Sequence, residues 1–168
     1  MVNIYFSGCG LLYDCEAAET EIETMETNLT TPPLVENFTF TKCSEYWDKM
    51  NEYVDEGCGT IEGGNDDCEY GVCTVQNANL FAYVLSALSA AFSYDSTTYC
   101  SYYDSVGMVL QVMVDAGGCA TYVNDGVGYT QTDVDEYVAN GCDWGDSTTV
   151  NSIIPGQGHL TILNIKGS

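Results

Sequence analysis

Cys43-Ser44-Glu45-Tyr46 opens a segment that closes at Val54-Asp55-Glu56-Gly57-Cys58-Gly59-Thr60. The same scheme returns where Cys100-Ser101-Tyr102-Tyr103 opens and Val114-Asp115-Ala116-Gly117-Gly118-Cys119-Ala120-Thr121 closes. Both copies read Cys-Ser-x-Tyr at the start and Gly-Cys-x-Thr at the end, an internal repeat. The two cysteines lie 15 positions apart in the first copy and 19 in the second. The difference of four is close to one helical turn, so an apolar face stays in register in both. A third closing segment, Glu136-Tyr137-Val138-Ala139-Asn140-Gly141-Cys142, matches Glu52 to Cys58 at five of seven positions. The physical sense is a helix stopped by a C-terminal glycine, followed at once by a cysteine that staples the helix end. Two cysteines at opposite ends of one such helix stand about 22 Å apart, whereas a disulfide needs Cα atoms within about 7 Å. Each must therefore reach a neighbouring element, as when antiparallel helices are tied end to end. The competing reading is two unrelated amphipathic helices with coincidental ends.

Upstream, residues 14–27 place Cys15, Ala18, Ile22 and Met25 on one stripe, while Glu16, Glu19, Glu21, Glu23 and Glu26 face away. This predicts an amphipathic helix with an acidic outer face. Asn28 to Lys42 reads as an extended linker, because Pro32-Pro33 cannot continue a helix and the flanking threonines lack a helical period. It carries two glycosylation sequons, at Asn28 and Asn37, a number that chance alone supplies at roughly two per such sequence; their clustering is what adds weight. Between the repeats, Gln76 to Ser93 predicts a central helix. Its dense apolar part, Leu80 to Phe92, is 13 residues, too short to span a bilayer. Asn79, Ala82, Ser86, Ser89 and Ser93 form a small-residue stripe against which another helix would approach closely, with Leu and Phe filling the opposite side. The two ends of the chain read as short strands: Val2, Ile4 and Phe6 alternate with polar neighbours, and His159 to Lys166 is rich in β-branched residues.

The expected fold is therefore mainly α, a disulfide-stapled bundle of four or five short helices with short N- and C-terminal β-strands. It forms one domain, 1–168, with a strand and acidic helix at 1–27, an extended linker at 28–42, a Cys-stapled helical region at 43–145 and a C-terminal strand at 146–168. A chain of 168 residues buries about 70% of the surface its unfolded form exposes, so a core is expected. With 45% apolar and 12% aromatic residues it is not a disordered polyanion.

Charge excludes whole classes of partner. Against 25 Asp plus Glu there are three Lys and no Arg, a net charge of −22. Three scattered lysines do not neutralise a run of phosphates, so neither nucleic acid nor an anionic membrane surface is a partner. Nine cysteines at this density predict an oxidising, extracellular or cell-surface setting. The opening Met1 to Cys9 lacks a basic n-region and a long apolar core, so the chain reads as a mature one.

No catalytic kit stands out. The single imidazole, His159, lies beside the C-terminal strand pattern, and no nucleophile-elbow motif accompanies it. The pairs Cys68/Cys73 and Cys9/Cys15 have spacings looser than zinc half-sites. Calcium is the one cofactor worth considering, with weak oxygen ligands at Asp66, Asp67, Asp143 and Asp146, while Asn124 to Tyr129 fails the EF-hand register. Cys9, Cys15, Cys43, Cys58, Cys68, Cys73, Cys100, Cys119 and Cys142 are expected in disulfides. An odd number leaves one unpaired or intermolecular. The expectation is a secreted, acidic, cystine-rich structural or interaction protein, not an enzyme, that self-associates or binds other extracellular proteins, as a subunit of a filament or complex. Two alternatives stand beside it: a carrier of a small apolar ligand such as a lipid or sterol, and a carbohydrate-active enzyme working through paired carboxylates.

Overall fold

The computed structural model describes residues 13–60, 67–123 and 126–142, and among them every regular element is helical, with no strand. The elements are α1 (Cys15–Thr30), a short α2 (Leu34–Asn37), α3 (Phe40–Asp55), α4 (Cys68–Phe92), α5 (Ser96–Asp115), a 3-10 turn (Ala120–Tyr122) and α6 (Gln131–Asn140). Both expected terminal strands, and His159, lie outside the described residues.

Each of the five longer helices starts on a side chain that accepts a hydrogen bond from an otherwise unpaired first-turn N–H: Asp14, Thr39, Asp67, Asp95 and Thr130. At α6 the cap is reciprocal, because Asp133 also accepts from the Thr130 backbone N–H at 2.8 Å. The helix ends obey the glycine rule that the repeat predicts. At α3, Gly57 takes φ +77°, its N–H reaches Val54 O and the Cys58 N–H reaches Tyr53 O. At α5, Gly117 takes φ +91° and the same two bonds run from Gly117 to Val114 and from Gly118 to Met113. The end of α4 uses this motif without a glycine: Tyr94 sits at φ +55°, and Asp95, which closes α4 by donating to Ala90 O, also caps α5. One three-residue turn therefore reverses the chain and makes α4 and α5 an antiparallel hairpin.

The core lies in that hairpin. Val72, Ala87, Val106, Val109, Leu110 and Met113 have essentially no solvent contact, and Tyr137 and Val134 of α6 close one side of it. Each large apolar side chain buried this way contributes about 1.5–3 kcal/mol relative to exposure. On the other side, α2 is held by Gln76 of α4, which is wholly buried. Its Nε2 donates to Leu34 O at 3.1 Å and to Phe38 O at 2.9 Å, while its Oε1 accepts from Asn79.

The segment 28–42, expected as an extended linker, is mostly helical, which corrects that reading. Pro32-Pro33 does interrupt the helix, but only between Thr30 and Leu34. Thr27, Thr30 and Thr31 return their hydroxyls to carbonyls three or four residues back and so complete the last turns of α1. The central helix also begins earlier than residue 76, at Cys68.

Four disulfides tie these helices: Cys15–Cys58, Cys43–Cys68, Cys73–Cys119 and Cys100–Cys142, with Cα separations of 5.5, 5.7, 5.4 and 5.3 Å. A single rule covers three of them. The cysteine just after a glycine-terminated helix (Cys58, Cys119, Cys142) bonds a cysteine in the first two turns of an antiparallel neighbour (α1, α4, α5). The fourth joins the beginnings of α3 and α4. The end-to-end stapling expected from the repeat is thus present, and no helix is bonded to itself. These eight cysteines leave Cys9, outside the described residues, as the odd one.

Candidate interaction surface

The outer face of α4 is apolar and uncharged. No charged residue occurs between Tyr70 and Tyr94, and the helix carries apolar residues on every side, so packing α5 against one side leaves others bare. Leu80, Val84, Ala87, Ala90 and Ala91 take the buried side. Phe81, Leu85 and Phe92 remain 65, 50 and 65% exposed. With half-buried Leu88 they fall at spacings of 4, 3 and 4, one continuous stripe along the last three turns. This corrects the expectation that the small-residue stripe meets a neighbouring helix with Leu and Phe filling the opposite side: Ala82, Ser89 and Ser93 are exposed beside the apolar stripe, and α5 packs on the side of Leu80, Val84 and Ala87.

Two of the concave features among the described residues accompany it. Between α5 and α6 an open groove of about 300 Å³ is lined by Tyr103, Gly107, Met108, Val134, Tyr137 and Val138. Its floor is a pair of stacked rings, Tyr103 and Tyr137, with centroids 4.2 Å apart. Its rim carries Met108 and Val138, 45 and 64% exposed. Burial raises both phenol pKa values, Tyr103 to about 12. The second, of about 310 Å³, lies between α3 and the start of α4, where Phe40 and Trp47 adjoin Asp48, Asp67 and Glu69.

Of the residues singled out from sequence, Asp67 caps α4, its carboxylate accepting from the Tyr70 N–H at 2.8 Å. Asp66, Asp143 and Asp146 lie outside the described residues. Among the described residues no group of three or more His, Cys, Asp or Glu is placed to hold a metal. Cys68 and Cys73, weighed as a zinc half-site, bond Cys43 and Cys119 instead. The sequon residues differ from each other. Asn28 is exposed on α1, whereas Asn37 is half-buried, its Nδ2 donating to Thr31 O at 2.9 Å and its Oδ1 accepting from Lys42 Nζ at 3.3 Å. The acidic side chains of α1 point outward as expected, and Glu21 meets Lys49 of α3 at 3.0 Å, with Glu52 on the other side of the same ammonium.

The α4 stripe is not legible as a surface from sequence alone. Its signal, the 4-3-4 spacing of Phe81, Leu85, Leu88 and Phe92, was present, but a helix apolar all round does not announce which side is covered.

No known protein family, curated protein or solved structure matches this chain. What the structure establishes is a mainly helical, disulfide-rich fold whose four bridges point to an oxidising, extracellular-type environment. No helix among the described residues is long and apolar enough to cross a membrane.

Proposed function

We propose that this is a secreted or cell-surface interaction protein that self-associates, a cystine-stapled subunit of an extracellular assembly. The observation that carries the reading is the bare apolar face of α4 on a molecule of net charge −22. Charge over most of the surface opposes contact between copies. The uncharged stripe is where that opposition is least and where burying apolar area favours contact. The staples suit such a role, because they fix the helix ends without cofactor or ligand. Calcium enters as a diffuse counterion of the acidic surface. Non-reducing and reducing electrophoresis of native protein, combined with negative-stain microscopy, tests the proposal. Oligomers or filaments are expected, and a strict monomer under all conditions overturns it.

A second reading, a carrier of a small apolar ligand, is favoured by the α5/α6 groove, whose size lies at the lower end for ligand sites. Lipid co-purifying in native mass spectrometry supports that reading, and its absence from material drawn from a lipid-rich source counts against it.

A further inference from the structure

Resting on the self-association reading, we infer that the α4 stripe is a self-complementary seam that receives α4 of a second copy in antiparallel orientation. Phe81, Leu85, Leu88 and Phe92 follow the alternating 4-3-4 spacing with which one helix meets another along a shared seam. A two-fold axis passing between Leu85 and Leu88 sets Phe81 against Phe92 and Leu85 against Leu88, so every layer is filled by apolar partners.

Charge limits where a second copy can sit and in which direction. Two copies at −22 each repel almost everywhere, and the seam brings no charged side chain into the contact. A parallel pair would bring Asp95, just past the end of the stripe, next to its own counterpart. The antiparallel pair separates them and opposes the two helix dipoles. Exposed area is sufficient for a modest interface. A buried Phe removes roughly 150–250 Å² from water, so the exposed parts of Phe81, Leu85 and Phe92, with the flanking Ala78, Ala82 and Ser89, supply about 500 Å² per copy. The total of about 1,000 Å² sits at the lower limit of specific interfaces, which implies a weak, concentration-dependent dimer.

Sedimentation velocity on the full chain tests this. Wild type is expected to dimerise reversibly. Phe81→Ser with Leu85→Ser and Phe92→Ser should raise the dimer Kd at least tenfold with the helix content and all four bridges intact, since these side chains are already half exposed or more. Leu85→Glu alone should do the same by placing a charge in the seam. Met108→Ser with Val138→Ser, on the other apolar groove, should leave Kd within about twofold. A stripe variant that dimerises like wild type overturns the seam but leaves self-association standing. A wild type that stays monomeric at every concentration overturns self-association itself. A photo-crosslinker at position 81 should capture the neighbourhood of Phe92 in the second copy; capture of position 81 overturns the antiparallel direction.

Discussion

Tyr103 of α5 and Tyr137 of α6 exchange hydrogen bonds: the Tyr103 hydroxyl donates to the Tyr137 carbonyl at 2.9 Å, and the Tyr137 hydroxyl donates to the Tyr103 carbonyl at 3.2 Å. Their rings stack within 12° of parallel. The pair fastens α6 to the hairpin at the end opposite the Cys73–Cys119 bridge. Tyr103→Phe keeps the ring but leaves the Tyr137 carbonyl, in the last turn of α6, without this donor and should cost about 1–2 kcal/mol in denaturant unfolding under non-reducing conditions; Tyr137→Phe should cost less, because the Tyr103 carbonyl lies inside α5 and keeps its helical partner.

The same pair sets an alkaline limit. Burial disfavours the phenolate of both rings in the folded state, Tyr103 reaching about 12 against about 10 when unfolded, and Tyr137 shifting the same way. A group whose folded pKa is raised contributes stability that is complete below its unfolded pKa and is lost as pH climbs through the folded one. Thermal midpoints should therefore hold up to about pH 10 and fall between about 10 and 12. The double phenylalanine variant should fall less steeply.

Gln76 is the wholly buried polar side chain that ties α4 to α2 through two carbonyls. Gln76→Leu preserves volume but leaves the Leu34 and Phe38 carbonyls without this donor. A loss of about 2–4 kcal/mol is expected, and hydrogen exchange should show new opening in residues 34–38 ahead of α5.

Gly118 and Gly128 let two backbones touch. The Tyr129 N–H donates to Gly118 O at 2.7 Å, and a Cβ at Gly118 would stand 2.6 Å from Tyr129 O. With φ at +87°, Gly118→Ala suffers on both counts and should lower stability by more than 2 kcal/mol. Peptide mass mapping should find the Cys73–Cys119 linkage partly scrambled in refolded material, while wild type returns only the four native pairs.

The two sequons should behave differently. A glycan on Asn37 would have to sit on the half-buried nitrogen that now donates to Thr31, whereas Asn28 is open on α1. Expressed through a glycosylating secretory route, the chain should carry glycan at Asn28 and little at Asn37 by glycopeptide mass spectrometry.

Much of the fold was legible because its signals are local. The glycine-cysteine endings at 57–58, 117–119 and 141–142 were read as helix stops with staples, and Cys15, Ala18, Ile22 and Met25 were placed together on the inner stripe of α1. The bridges' connectivity was not legible, since it depends on which helices lie antiparallel. The helices within 28–42 are not legible because Pro32-Pro33 signals a break locally, while the threonine back-bonds that finish α1 and the Gln76 contacts that hold α2 come from several residues, one of them 42 positions away. For the surface, composition located the apolar residues of α4 but not the side left uncovered, which only the placement of α5 decides.

The proposed association of an anionic, stapled monomer through an uncharged helix face can be read by sedimentation equilibrium of the native chain over a wide concentration range, in low and then physiological salt. The weight-average mass should rise with concentration from monomer toward dimer, and rise further when salt or calcium screens the charge. A mass fixed at the monomer value in every condition would mean that the chain does not self-associate.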